Sequence, residues 1–472
     1  MNFYFEAAKV LDKLDAKKGS IKSVIAAVNE KDRKRTAALV IETLKYKQVL
    51  VDVIDATKLL KEERKITSKN LALLLVHDLL LTNGIQAGDG PVKQAVFRHK
   101  TRLNSELQRI KIKRGAKSNG ELAQGEDSRA ALIPRYVRVN TAYCTTNEAI
   151  EDFISRGFEL SAPFASKQGF AKDEHIPDLL AFNPRVSFET DPLYTSGKII
   201  LQDKASCFPA YILSPPSTDE SVVIDATAAP GNKTSHLCAL MKNRGRLFAF
   251  ERDRKRFSTL KMMLGKAQCQ NVEPVNADFL TISPQDKTYA AVTHIGSGIV
   301  NRLDYLLDTE NENDGEQERL NKLAAFQLSM IKHAMKFPSV EKIVYSTCSV
   351  HAIENEQVVR QALTSDEAIS GSLVLASSHD VLPQWKRRGL PEEMATPADA
   401  ASLVRCSPDE DATNGFFVAL FVKKKPPDPM TAEEKAEPSA KAAHKRKKAT
   451  QNEAVEGTTG RRKKRKRSAN PD

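Results

Sequence analysis

The chain opens on a helical rhythm. From about residue 5 to 113, apolar residues return at three- and four-residue intervals between charged faces, as in VIAAVNEKDRKRTAALVIETLKYKQVLVDVIDATKLLKEERK. An all-α amino-terminal domain is expected, punctuated by TNGIQAGDGP at 82–91 and closed by the polar linker KIKRGAKSNGELAQGEDS at 111–128. IPRYVRVNT at 133–141 then alternates like a strand, NEAIEDFISRGF at 147–158 reads as a helix, and short strands continue to Thr190, the pattern of a small α+β module. From about 197 short apolar runs alternate with helices: SVVIDAT with TSHLCALMK, GRLFAFE with RKRFSTLKMMLGKA, NVEPVNADF, and KIVYSTCS with ENEQVVRQALT. Buried strands separated by helices predict an α/β fold, a parallel sheet covered on both faces. GFFVALFVK at 415–423 is expected as its last, antiparallel strand. The expected domains are 1–125, 126–190 and 191–424, followed by a tail at 425–472.

Charge separates the tail from the rest. Residues 423–472 hold sixteen Lys and Arg against seven Asp and Glu, so nine of the twelve net positive charges lie there. Almost no large apolar residue accompanies them, too few to offset ordering entropy, and a disordered tail is expected. Its basic clusters at 445–448 and 461–467 suit nuclear or nucleolar import, or non-specific RNA contact. The nearly neutral body can meet nucleic acid only through a local patch. The richest apolar run, LALLLVHDLLL at 71–81, is broken by His77 and Asp78, so neither a membrane span nor secretion is expected. Six scattered cysteines without a CxxC pair predict no metal site, no disulfide framework and a reducing compartment.

VVIDATAAPGNKTSHL at 222–237 is a strand, a small-residue turn and a helix, the place where open α/β sheets take nucleotide-like ligands. Ala226, Ala228, Ala229 and Gly231 permit close backbone approach, and the following helix turns N–H groups toward an anion. GNKTS resembles a phosphate loop, but Asn232 separates Gly231 from Lys233 and no glycine lies five positions before Gly231, which disfavours a nucleoside triphosphatase. Glu251 closes GRLFAFE, where an acid can take both ribose hydroxyls, and Asp278 follows the next strand within reach of an adenine amino group. A nicotinamide-dependent oxidoreductase lacks support because no GxGxxG turn is present. IVYSTCS at 343–349 brings Cys348 to the carboxyl edge of the same sheet.

DATAAPGNKTS, FERDRKR, NADF, YSTCS with ENE at 354–356, QDKAS at 202–206 and the terminal NGFF resemble, in family order across 130–423, the NOP/Sun RNA (cytosine-5) methyltransferases. GSIKS at 19–23 and LPQWKRRGL around Trp385 look most like the fifth member of that family, which acts on large-subunit ribosomal RNA. The resemblance implies a Rossmann-like methyltransferase sheet preceded by a small RNA-binding module. It implies S-adenosylmethionine bound by Thr227, Ala228, Ala229, Pro230, Gly231, Asn232, Lys233, Glu251, Arg256 and Asp278, with Cys348 as nucleophile. Large-subunit rRNA and pre-ribosomal particles are the implied partners. Arg135, Arg138, Lys198, Lys204, Arg387 and Arg388 are candidate RNA contacts, Lys204 foremost.

One family segment is missing. Relatives run a strand into Asp-Pro-x-Cys-Ser-Gly, whose Asp holds the cytosine edge and whose Cys assists product release. Here YAAVTHI at 289–295, read as that strand, meets Gly296, Ser297 and Gly298 directly, with no Asp or Cys before them. The chain is short by about seven residues at this point, judged from ordinary strand length, and IVNRLDYLL at 299–307 resumes the expected pattern. Asp304 is the nearest downstream acid. Loss of a transition-state contact predicts weak activity or none, and the competing expectation is a noncatalytic RNA-binding or ribosome-assembly factor on the same fold.

Overall fold

The computed structural model describes residues 1–16, 21–116, 118–123, 133–299 and 313–424. The basic tail and Asp304 lie outside them. The amino-terminal region is helical from Asn2–Asp15 to Lys100–Lys113. Its centre is the helix Lys69–Leu81, capped by the Ser68 hydroxyl, which accepts from the Leu71 N–H, and buried from Asn70 to Leu79. The polar pair that interrupts its apolar run is satisfied inside the core: the Tyr4 hydroxyl donates to Asp78 Oδ2 at 2.5 Å, and His77 Nδ1 lies 3.0 Å from Asp78 Oδ1. Among the described residues no helix is long and apolar enough to cross a membrane.

Five strands form the small sheet: β1 (Arg135–Val139), β2 (Glu159–Leu160), β3 (Gly169–Lys172), β4 (Leu179–Phe182) and β5 (Ile199–Leu201), in the order β2-β3-β4-β1-β5. The sheet reaches past residue 190, where the module was expected to end, because β5 pairs antiparallel with β1 through Val137↔Leu201 and Val139↔Ile199. Three residues are too few to carry a period of two, which is why β5 left no mark on the pattern. The helix Thr146–Ser155 starts on a Thr145/Glu148 capping box and sets Phe153 among Phe170, Phe182 and Phe188.

The large sheet holds β6 (Val222–Asp225), β7 (Arg246–Phe250), β8 (Val272–Val275), β9 (His294–Ile299), β10 (Lys342–Thr347), β11 (Leu373–Leu375), β12 (Val404–Cys406) and β13 (Phe416–Lys423). Their order is β11-β13-β10-β9-β6-β7-β8, with β12 on β13. Strands β6 to β10 run parallel and β13 is antiparallel to β10, as the pattern predicts. Ile224, Phe248, Ile295 and Tyr345 enter one core layer, Val223, Leu247 and Val344 the other, where the helix Lys204–Leu213 packs. Strand order reverses between β6 and β9, and the crevice at such a reversal is where these sheets bind ligands.

β9 departs from expectation. It begins at His294 rather than Tyr289 and takes in the whole Gly-Ser-Gly. Tyr289 instead ends a turn, its N–H bonded to the Asp286 carbonyl, and its ring packs edge-on at 5.0 Å from Phe248. The ring is worth more beneath the sheet than in it, and the strand fills its length from the glycines that follow.

His294, at the head of β9, is 3 % exposed, and burial together with the Lys342 charge pushes its imidazole down to about 4. The unfolded chain therefore binds a proton that the folded chain refuses, so stability is complete above pH 6.5 and falls as the pH drops toward 4, by up to about 3 kcal/mol. Urea midpoints at pH 7 and pH 5 measure the slope. His294→Gln should flatten it, and an unchanged slope in that variant would locate the acid sensitivity elsewhere.

Candidate active site

The loop after β6 is held from inside. Asp225 ends the strand fully buried, accepting from the Thr234 hydroxyl at 2.7 Å and the Thr227 N–H at 3.3 Å, and burial raises its carboxyl. Ala228 N–H bonds the Phe250 carbonyl, so the turn is tied to β7 as well. The chain then passes through Gly231 at φ +113°, a conformation L side chains rarely adopt, into the helix Asn232–Leu240. A Cβ at Gly231 would also lie 3.3 Å from Leu260 Cδ1.

The acids expected to hold a nucleoside stand at successive strand ends. Glu251 is 6 % exposed beyond β7, accepts from the Asp253 N–H at 2.9 Å, and lies 3.3 Å from Arg256 Nη2. That Arg256 nitrogen also donates to the Ala229 carbonyl at 3.0 Å, linking the turn to Glu251. Asp278 caps the short helix Phe279–Thr281 through the Leu280 N–H, and its second oxygen meets the exposed Arg252 at 3.2 Å. Three expected residues direct their side chains elsewhere. The Thr227 hydroxyl exchanges hydrogen bonds with the backbone of Gly298, donating at 2.7 Å and accepting at 2.9 Å. The Asn232 amide donates to the Leu201 carbonyl, and Lys233 Nζ donates to the Ser206 hydroxyl at 3.2 Å. Lys233 thus faces β9 and QDKAS rather than the β7 edge, and Ser206 is a residue of this site that its place in QDKAS alone marked.

Cys348 follows β10, half-buried at the carboxyl edge of the sheet. The ENE motif clamps the loop that carries it. Thr347 Oγ1 donates to Asn355 Oδ1 at 2.5 Å, and the Asn355 amide donates to the Ser349 carbonyl at 3.0 Å. Glu354 accepts from Gln327 at 2.8 Å. Glu356, fully buried, takes a bidentate pair from Arg405 at 2.6 and 2.7 Å, while a third Arg405 nitrogen reaches the Val350 carbonyl. Sequence reading gave Arg405 no part in this.

Among the described residues, β9, which lies between β6 and β10, carries no acidic side chain. Gly298 pairs with Ser346 in the ladder, two places before Cys348, and a Cβ there would lie 2.7 Å from Ser346 Oγ and 3.5 Å from Lys233 Cε. Below it a small void, with room for about one water molecule, is lined by Leu213, Leu237, Val344, Asp225, Lys233 and the Gly-Ser-Gly segment. Side chains from β9 would fill that space, and glycines leave it open.

The candidate RNA contacts divide. Arg135 is exposed on β1 and Lys198 half-buried. Arg138 is not a contact, being fully buried on β1 with its guanidinium turned inward. Lys204 is buried in an ion pair with Asp173 at 2.7 Å and stands 5.4 Å over the Trp385 ring. Arg387 pairs with Asp411 and Glu410, and Arg388 donates to the Val381 and Leu382 carbonyls. Arg138 and Lys204 are structural because both are buried with partners that a phosphate would have to displace, whereas Arg387 and Arg388 are only part-buried.

Three family descriptions cover nearly the whole described body. Residues 34–123 match the N-terminal domain of NOL1/NOP2/Sun domain family member 5, residues 133–202 its ferredoxin-like domain, and residues 210–422 the 16S rRNA methyltransferase RsmB/F family. The 25S rRNA (cytosine-C(5))-methyltransferase rcm1 of Schizosaccharomyces pombe is 43% identical over 431 residues, covering 89% of this chain and 91% of the relative. The chain belongs to the NOL1/NOP2/Sun domain family. A 28S rRNA (cytosine-C(5))-methyltransferase of Mus musculus is 41% identical over 439 residues, with 89% and 91% covered. A solved methyltransferase homolog from Pyrococcus horikoshii shares the fold at a TM-score of 0.51 and 19% identity, covering 78% of this chain and 99% of its own. For this NOP/Sun chain the segment without an Asp therefore lies inside a region that matches its family on both sides.

Proposed function

We propose that the chain is an S-adenosylmethionine-dependent RNA (cytosine-5) methyltransferase of large-subunit rRNA whose rate is held far below that of its relatives because β9 carries Gly-Ser-Gly where they carry an Asp. The observation that carries the first half is Cys348 at the carboxyl edge of the same sheet as the turn after β6, on a loop locked by ENE, in a chain 43% identical to an rRNA (cytosine-C(5))-methyltransferase. The turn fits the cofactor: Gly231, at φ +113°, leads straight into the start of the helix Asn232–Leu240, and the buried Glu251 carboxylate ends β7 where ribose hydroxyls would be held. S-adenosylmethionine, when bound, supplies the methyl group. Cys348 supplies the activation. Carbon 5 of cytosine is a poor nucleophile, and thiolate addition at carbon 6 turns the ring into an enamine. Carbon 5 of that enamine can then take the methyl group, after which loss of its proton to solvent water restores the ring double bond and breaks the bond from carbon 6 to sulfur, releasing the thiolate. The base must leave its stack to reach the thiol, which favours flexible or single-stranded RNA.

The second half rests on Gly298, whose place in the ladder beside Lys233 offers no carboxylate to the base. The same observation favours a second reading, an assembly factor that keeps the fold and the RNA surfaces without turnover. We also propose nucleolar work on pre-ribosomal particles, with the basic clusters at 445–448 and 461–467 serving import. Incubating the purified chain with methyl-labelled cofactor and large-subunit rRNA separates the readings. Slow transfer that Cys348→Ala abolishes is expected. Transfer at a relative's rate would overturn the impairment, and none at all, with RNA still bound, favours the scaffold.

A further inference from the structure

We propose that Arg138 is a positioning residue that couples RNA docking on the small module to cofactor affinity in the large domain. This rests on the functional reading above. Arg138 stands on β1, in the small sheet, yet its guanidinium crosses to the helix that carries Lys233. Nε donates to Gln202 Oε1 at 2.8 Å, and Nη2 donates to Ser235 Oγ at 2.8 Å and to the Asn232 carbonyl at 3.4 Å. Ser235 and Asn232 belong to the first turn of the helix Asn232–Leu240. Gln202 continues the line: its amide donates to the Ser206 carbonyl at 3.0 Å, and the Ser206 hydroxyl accepts from Lys233. A movement of β1 therefore reaches both the helix start after Gly231 and the lysine that faces Gly298.

Energetics argue against a purely architectural role. The side chain is fully buried, no carboxylate is among its hydrogen-bond partners, and Nη1 is unpartnered. Burial depresses the guanidinium from its usual range. An isosteric apolar side chain would fill the same volume without that desolvation cost, so the charge is expensive for packing alone. The seam it bridges is close-packed where Gly197 meets Lys266 and Ala267, and the Asn140 amide ties the Gly197 and Ala267 carbonyls together across it. Close-packed contacts transmit displacement, so a shift of β1 is passed to the helix start rather than absorbed.

The test is a linkage measurement on the full chain. Calorimetry gives the Kd of S-adenosylhomocysteine alone and with a saturating cytidine-containing RNA stem-loop. The native ratio is expected to be about 5-fold or more, and Arg138→Met should bring it within about 2-fold of unity while each ligand still binds alone. Ser235→Ala, which removes one tie and leaves the buried charge hydrogen-bonded to Gln202, should reduce the ratio in the same direction and serves if Arg138→Met does not fold. A merely structural role would lower stability or both affinities and leave the ratio intact. A folded variant that keeps the native ratio, or a native chain with no RNA effect on the cofactor Kd, overturns the coupling alone. If the native chain binds no S-adenosylhomocysteine, the cofactor reading falls and takes the coupling with it.

Discussion

Inserting Leu-Leu-Asp-Pro-Ser-Cys-Ser between Ile295 and Gly296 is expected to raise methyl transfer to large-subunit rRNA by ~10²–10³ over the unaltered chain. The register decides where each added side chain goes. The first place after Ile295 pairs with Asp225 on β6 and Val344 on β10, and a Cβ there has Val344 Cγ1 at 3.7 Å and Leu213 Cδ2 at 3.9 Å, ordinary contact distances. A leucine at that place points toward Leu213 and Val344 in the apolar layer. The second leucine turns to the layer that already holds Ile295. The aspartate takes the place of Gly298, facing Lys233, whose Cε would lie 3.5 Å from its Cβ. That approach requires the Ser346 hydroxyl, at 2.7 Å, to swing off the Ser297 carbonyl, so Ser346→Ala beside the insertion is expected to help rather than harm. The two leucines also add apolar contact on both faces of the strand, so the fold is expected to gain stability. Labelled methyl incorporated in a single turnover, with thermal denaturation in parallel, reads both effects. A stabilised protein whose transfer stays at the unaltered level would mean that Gly298 is not the limiting place, and the scaffold reading would gain.

The parts of this molecule that periodicity describes were legible before any coordinates. The helices of the first domain, the parallel order from β6 to β10 and the antiparallel β13 all follow from apolar spacing, because burial of one face or both faces fixes the period. Motif spacing likewise placed Cys348, Glu251 and Asp278 at strand ends. What spacing did not reveal depends on partners far away in the chain. Arg138 and Lys204 read as candidate RNA contacts because nothing local announces Gln202, Ser235 or Asp173 as partners. β9 was misplaced because Gly-Ser-Gly has no strand propensity, and only the ladders with β6 and β10 hold it extended. Arg405 and Glu356 are 49 residues apart, a separation invisible to any window.

Glu356→Ala should cost about 3–5 kcal/mol, the range found when one partner of a buried pair is removed. Three bonds end on this carboxylate: Arg405 Nε and Nη2, and the Leu390 N–H at 3.1 Å. Without it the Arg405 guanidinium, its side chain only 13 % exposed, keeps its charge and loses its counter-charge. The damage is not confined to stability. Arg405 also donates to the Val350 carbonyl, two residues after Cys348, and its own carbonyl accepts from the Trp385 indole at 2.8 Å. Loosening it frees one side of the Cys348 loop while Asn355 still holds the other, so the thiol should become more accessible even where the protein remains folded. Urea denaturation measures the first effect, and the rate of Cys348 alkylation in native buffer, compared with Cys348→Ser as background, measures the second. Glu356→Gln keeps the shape and one acceptor, and should fall between the two. Equal alkylation rates in native protein and Glu356→Ala would show that Asn355 and Thr347 suffice to fix the thiol, leaving Glu356 a purely energetic part of the fold.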